Sequence, residues 1–269
     1  MTSGAQSTRV ALQGALGRPV AKLQRFLEHT GAVTMLSVRA VRSLFTTRFE
    51  MRAFVYQLEQ LGVRSLAIGM ATAVFVGIVM AIQFAFSLEK FGAKDSVGRI
   101  VGLSEVRELA PALTSLVVGC RIAAGMAAEI GSMAVTEQID AIRALGADPI
   151  KKLVVPRVLA AIIVMPLLTC FALVVGTASA MVVTNITFGI PMPFFVSSAL
   201  DAITMQDLMS GIGKTPVFGY LIAILGCHFG MITRGGTEGV GKSTTTSVVV
   251  VSITILVADA LLTQLFLSL

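Results

Sequence analysis

Three groups of residues in this 269-residue chain carry types and spacings that could do chemistry. The first is Gly236-Thr-Glu-Gly-Val-Gly241-Lys242-Ser243, which fits the phosphate-loop spacing GxxxxGK[ST]. That spacing cradles a nucleotide only between a buried strand and a soluble helix, where backbone N–H groups point at the phosphates. Here an apolar run precedes it and another follows, and no Asp-ended strand stands nearby to hold magnesium. The expectation is therefore a glycine-rich turn in which Ser243 or Thr244 caps the helix after it. The second group is a set of ionisable residues inside apolar runs: Arg121, Glu129 eight residues later on the same helical face, Asp259, and His228 near the end of a run. Charges at membrane depth are costly and face a protein interior or a wet cavity. Arg121 and Glu129 are thus either a polar path or internal lock, or structural pairs between helices; for Asp259 and His228 a packing role is the expectation. The third group, Cys120, Cys170 and Cys227, has no CxxC or metal-ligand spacing and reads as small buried residues. With only two histidines, His29 and His228, and no Ser/His/Asp or paired-carboxylate arrangement in a soluble setting, catalysis by this chain finds no support. The chain is expected to be no enzyme and to bind no metal or cofactor itself.

The elements that must position these residues are set by composition. Hydrophobic residues make up 55% of the chain and charged residues 13%, against about 25% charged in soluble domains. The fold class expected is an all-α polytopic membrane protein. Residues 1–17 read as a disordered tail. No cleavable signal is visible, so the first span would serve as the insertion signal. Residues 18–269 form a single membrane domain. From 19 to 60 the pattern is amphipathic and basic: Leu23, Phe26 and Leu27, then Val38, Val41, Leu44 and Phe45, recur at helical spacing with Arg39, Arg42, Arg48 and Arg52 between them. This predicts a helix lying in the membrane interface. Five spans follow, at about 65–88, 109–133, 158–187, 212–233 and 245–267, each near the 20 residues a crossing needs. Residues 158–200 carry no charge, and the run is broken by Asn185, Gly189, Pro191 and Pro193. Residues 89–108 read as a mixed-charge connection and 188–208 as a loop or short helix. Small residues repeat every four positions in span one (Gly69, Ala73, Gly77, Ala81, Ala85) and span two (Gly119, Ala123, Ala127, Gly131). Such stripes let helices approach closely in lipid, and they are expected to be sliding or dimer surfaces.

Between spans two and three, residues 134–149 form a short polar helix, with Glu137, Asp140 and Arg143 ahead of Gly146 and Pro149. Lys and Arg number nine in 1–64, four in 133–157 and two in 234–243, against four in 89–108 and one, Lys214, in 188–214. The positive-inside rule then puts the N-terminus and the 134–149 helix in the cytoplasm and the C-terminus outside. The net charge of +6 is explained by anionic lipid headgroups, so no nucleic-acid partner is expected.

Linked motifs carry a resemblance to a known family: Arg107-Glu-Leu-Ala-Pro111, Ala128-Glu-Ile-Gly-Ser-Met133, Val135-Thr-Glu-Gln-Ile-Asp-Ala-Ile142, Gly146-Ala-Asp-Pro149, Val155-Pro-Arg157, and Gly239-Val-Gly-Lys-Ser-Thr-Thr245. The chain resembles the MlaE/YrbE permeases, the membrane subunits of ABC transporters that work with MCE proteins. The resemblance runs from about residue 20 to the end and is densest over 105–157. Lys242 stands where the family's pattern has Arg, and Ser243 where it has small apolar residues. The resemblance implies an interfacial helix, five spans and a cytoplasmic coupling helix. It also implies partners: a second permease subunit, identical or homologous, two cytoplasmic ATPase subunits that hold ATP-Mg, and MCE-domain proteins across the membrane. The cargo implied is lipid of the phospholipid, fatty acid or sterol class. The location implied is a bacterial inner membrane. The coupling residues implied are Thr136, Glu137, Asp140, Ala141, Arg143 and Leu145, and Arg107, Glu108 and Leu109 fall near the lipid-binding mouth. The rival class is an ion-coupled secondary transporter acting without an ATPase through Arg121, Glu129 and Asp259; such a carrier has no need of the 134–149 helix.

Overall fold

A computed structural model describes residues 27–43 and 51–268. The 1–17 tail and residues 18–26 and 44–50 of the basic amphipathic stretch lie outside the described residues. Helices make up the architecture, and no strand occurs among the described residues. Five of them are long and apolar enough to cross a membrane, so the chain is an all-α polytopic membrane protein.

Helix α1 covers 27–43. Helix α2 (Met51–Leu58) runs through a π-helical turn, Glu59–Val63, into α3 (Arg64–Glu89). A turn with Gly92 at φ 67° leads into the short α4 (Val97–Ser104), a π-helical stretch Glu105–Leu113 and then α5 (Thr114–Val135). Helix α6 (Gln138–Ala144) precedes the π-helical turn Ile150–Val154 and α7 (Val155–Phe188), which ends on Gly189 in the left-handed region. Helix α8 (Met192–Ala202), α9 (Met205–Met231) and α10 (Gly236–Ser268) complete the chain.

Four of these boundaries correct the sequence reading. The amphipathic stretch gives way at Met51, since Met51–Leu58 runs on through the π-helical turn into α3, and the polar helix is Gln138–Ala144 rather than 134–149, since Val135 still belongs to α5 and Gly146 turns the chain. Residues 94–108 are helical rather than a connection. Val97 and Val101, one turn apart, are buried, and Gly98 and Gly102 let α8 approach so closely that a Cβ at either would meet the backbone of Phe195 or the side chain of Ala199. Charged neighbours hid this four-residue repeat. The glycine-rich turn sits earlier than expected. Gly235 and Gly236 take positive φ and reverse the chain, and α10 begins at Gly236. Ser243 and Thr244 therefore lie inside the helix, where Thr244 Oγ1 donates to Val240 O at 2.8 Å, and they cap nothing.

Packing follows the small residues. The stripe on α3 is covered by α7: a Cβ at Gly77 would collide with the Gly176 carbonyl, and Ser179 Oγ donates to Val74 O at 3.1 Å. The stripe on α5 is covered by α9, with Gly119 under Ile222, Ala123 against Gly226 and Ile130 against Gly230. Both stripes are thus consumed within one chain, not left for sliding or dimer contact. The physical reason is that dispersion, not water exclusion, holds helices together in lipid, and it rises with closeness of approach. By contrast α10 presents a row of exposed apolar side chains, Val249, Ile253, Leu256, Val257, Leu261 and Leu265.

Candidate functional site

A proline sets the site up. Pro111 lacks an N–H and clashes with the carbonyl four residues back, and the chain around it widens into the π-helical stretch Glu105–Leu113. The carbonyl left without its α-helical donor is that of Arg107. It accepts instead from Lys214 Nζ of α9 at 3.3 Å. The same ammonium donates to Thr263 Oγ1 of α10 at 2.6 Å, to Glu108 Oε1 at 2.9 Å and to Asp259 Oδ1 at 3.4 Å. Lys214 is 1% exposed. A buried ammonium is stable only when its three protons have acceptors, and here two elements supply them, the Glu105–Leu113 stretch and α10. Thr263 Oγ1 donates in turn to Glu108 Oε1 at 3.0 Å.

Beside this knot, Arg107 Nε donates to Asp207 Oδ1 at 2.6 Å, and Arg107 Nη2 lies 2.5 Å from the same oxygen. Asp207 Oδ2 accepts from the Thr204 backbone N–H at 2.9 Å and from its hydroxyl at 2.7 Å. Thr204 is the N-cap of α9 and Asp207 its reciprocal partner, so a capping box fixes the carboxylate that holds the arginine. Two cavities flank the cluster. One, of about 500 Å³, is lined by Arg107, Glu108, Thr204, Asp207, Lys214 and Phe266 among others. The second, of about 640 Å³, lies against α10 and is lined by Glu108, Leu256, Asp259, Ala260, Thr263 and Gln264 among others. Glu108 and Thr263 face both. The arrangement offers polar groups of both signs beside apolar helix surface, which suits an amphiphile better than a bond-breaking reaction.

Of the residues expected at a lipid mouth, the structure brings Arg107 and Glu108 into this cluster. Leu109 is half-buried nearby and lines neither cavity. Asp259 joins them from α10. Arg121 and Glu129 do not meet: eight residues are about 12 Å of helix rise, beyond the reach of an ion pair. Arg121 Nη1 donates to Ser65 Oγ of α3 at 2.7 Å. Glu129 pairs at 2.7 Å with Arg157 of α7, which also donates to Leu153 O at 2.7 Å. Both are ties between neighbouring helices. His228 meets the other histidine, His29, with Nε2 and Nδ1 3.4 Å apart. Among the described residues no group of three or more His, Cys, Asp or Glu is placed to hold a metal.

At the opposite end, α6 is held by one buried residue, Ile139. Thr136, Glu137, Asp140, Ala141, Arg143 and Leu145 are all exposed, Leu145 at 86%. Arg143 Nη1 donates to Asp140 Oδ1 at 2.8 Å within the helix. Glu137 takes a left-handed φ of 58° and Gly146 one of 76°, so sharp reversals bound the helix and push it out of the bundle.

Comparison with known proteins gives this layout a family. Residues 54–265 match the family model described as Permease MlaE. The chain belongs to the MlaE permease family. It is 38% identical over 243 residues to a probable ABC transporter permease protein of Synechocystis, covering 90% of this chain and 92% of that one. It is 37% identical over 242 residues to a probable ABC transporter permease protein of Rickettsia felis, covering 90% and 93%. It is also 37% identical over 235 residues to the chloroplastic protein TRIGALACTOSYLDIACYLGLYCEROL 1 of Arabidopsis thaliana, covering 87% and 67%. The region matched to the MlaE permease model contains every residue of the charged cluster and all of α6, and leaves α1 outside.

Sequence reasoning missed Lys214, Asp207, Thr263 and Arg157 as site or tie residues. The charge count places Lys214 at the end of the 188–214 connection, yet it lies within α9. The signal that could have found it is its place at a helical run's edge with no acid within four residues on the C-terminal side, a cation that must be answered from another helix.

Proposed function

We propose that this chain is the membrane subunit of an ABC transporter that moves lipid of the phospholipid, fatty acid or sterol class between the inner membrane and MCE-domain proteins. The observation that carries this reading is the Lys214-centred cluster set between two cavities, beside the apolar row of α10. A headgroup finds charges of both signs there, and acyl chains find Leu256, Ala260 and Phe266. Polar groups that face lipid are costly, and the cavity on α10 exposes Glu108, Asp259 and Thr263 along an otherwise apolar face. A second permease subunit laid against α10 closes that cavity and turns it into a shielded path.

The excess of basic residues assigns the α6 end to the cytoplasm and the α8 end to the far side, where the MCE proteins dock. Helix α6 is the coupling helix. Its exposed Glu137, Asp140, Arg143 and Leu145 meet a cytoplasmic ATPase subunit, one per permease copy, and ATP-Mg is bound and hydrolysed there. Helix α1 lies in the cytoplasmic interface with its arginines toward headgroups.

The test is transport of fluorescent phospholipid by the permease reconstituted with its ATPase and MCE partners. Arg107→Ala, which frees Asp207 and opens one cavity wall, is expected to lower transport about tenfold, the value of a charge-assisted hydrogen bond, with ATP hydrolysis continuing. Transport at the wild-type rate in Arg107→Ala and Glu108→Gln, or transport by the permease alone in a proton gradient, defeats the reading.

A further inference from the structure

A third cavity, of about 350 Å³, lies at the α6 end between α1, the segment that follows α6, and the last turn of α9. Its apolar wall includes Met35, Leu36, Met231 and Ile232, and its polar groups are Arg39, Arg143, Asp148 and His228. Most of that polarity is already committed. Arg143 is answered by Asp140 at 2.8 Å. His228 Nε2 is held by His29, and its ring packs edge-on against Phe229. Asp148 Oδ1 accepts the Ile150 N–H at 2.9 Å. What remains uncommitted is one guanidinium, Arg39, which makes no ion pair with any described residue, and the second oxygen of Asp148. One free positive and one free negative group thus line the same apolar-walled cavity without touching each other. A purely anionic ligand would face Asp148, and a purely cationic one would face Arg39. A ligand with a phosphate and an ammonium a few bonds apart answers both. The wall continues past Met35, which is 61% exposed, onto the exposed Val38 and Leu27 of α1, a surface suited to acyl chain.

We propose that this cavity binds the headgroup of a zwitterionic, primary-amine phospholipid, with its phosphate on Arg39 and its ammonium on Asp148. The bound lipid ties α1 to the segment joining α6 and α7, and so anchors the coupling helix to the membrane surface. The inference rests on the placement of α1 in the cytoplasmic interface.

The experiment uses the full chain in nanodiscs of phosphatidylglycerol doped with photoreactive phosphatidylethanolamine, with labelled peptides mapped by mass spectrometry. Labelling is expected in α1 and in residues 228–232. Arg39→Ala and Asp148→Asn are each expected to cut it about tenfold, the worth of a charged contact. Asn keeps the oxygen that receives the Ile150 N–H, so the turn survives. A photoreactive phosphatidylglycerol probe, which lacks the amine, should label more weakly and should gain rather than lose labelling in Asp148→Asn, because the variant removes a like charge. Labelling that neither variant lowers, or equal labelling by both probes, overturns the proposal. Competition by free phosphoethanolamine at low concentration overturns the membrane source and assigns the cavity to a soluble phosphate amine. Labelling along 256–264 reports the cavity at the other end separately, so the two readings fail independently.

Discussion

The two ends of the bundle handle charge in opposite ways. At the α8 end, Arg107, Glu108, Asp207, Lys214 and Asp259 reach across 45 to 107 residues of sequence to answer one another. At the α6 end, Asp140 and Arg143 answer each other three residues apart on an exposed helix. Charges buried among helices must be paired because removing them from water is costly, and the pairing then fixes how the Glu105–Leu113 stretch, α9 and α10 meet. Charges on the exposed helix carry almost no folding energy and stay available to a partner. One end is built to hold a shape around a cavity, the other to present a surface.

That contrast breaks most readily at Lys214. Lys214→Ala leaves Glu108 and Asp259 facing each other without a cation and strips the Arg107 carbonyl of its donor. Loss of one partner of a buried charge set costs about 3 kcal/mol or more, so the thermal unfolding midpoint in detergent is expected to fall by several degrees. A second change, Asp259→Asn, should recover part of that loss by removing one of the stranded charges. An unchanged midpoint in the single variant would mean that the cluster does not hold the helices together.

Next in size is Gly77→Ala. The added Cβ meets the Gly176 carbonyl and would come within 2.6 Å of Ser179 Oγ, so α3 and α7 must part. Overpacking of this kind costs about 1–3 kcal/mol, and the same unfolding measurement reads it. The equivalent change at Gly125, whose Cβ would meet nothing within 4 Å, should be silent or mildly stabilising, since alanine is the better helix former.

Legibility in the sequence divides along the same line. The five spans were readable because each is a long apolar run, and α6 because its polarity and its stop residues are local. The small-residue stripes were readable as close-approach surfaces, but not which helix covers them: a four-residue repeat says that something packs there and not whether it belongs to the same chain. The cluster was half readable. Arg107 and Glu108 stood out through a motif, while Lys214, Asp207 and Thr263 became visible only when α9 and α10 were placed beside them. Arg121 and Glu129 looked like a pair because they share a face, and helix rise separates them. Partners that lie tens of residues apart leave no periodic trace in one sequence.

Asp140→Arg sharpens the comparison from the other end. The Asp140 carboxylate is exposed and its only pairing among the described residues is with Arg143, so the unfolding midpoint should move by less than about 0.5 kcal/mol equivalent, as for ordinary surface changes. Co-purification with the ATPase subunit and lipid transport should nevertheless fall, because two like charges now stand one turn apart on the face proposed to meet that subunit. A drop in stability that matches the drop in transport would place Asp140 in the fold rather than at an interface.

The smallest effect is expected at Lys242, where the sequence is loudest. A phosphate loop works because its N–H groups are free of other partners. Here Gly236 to Ser243 form the first two turns of α10, so from the second turn onward the N–H groups are already spent on carbonyls four residues back. Gly239 N donates to Gly235 O at 3.3 Å, and a Cβ at Gly239 would collide with the Arg234 carbonyl. Glycine is therefore required at that position by the tight reversal before α10 and not by a nucleotide. Lys242→Ala should leave the fold intact, and the purified chain should show no ATP hydrolysis with or without it. Hydrolysis by the purified chain that Lys242→Ala abolishes would require the first turns of α10 to unwind around a nucleotide, and would move the motor from a partner into this chain.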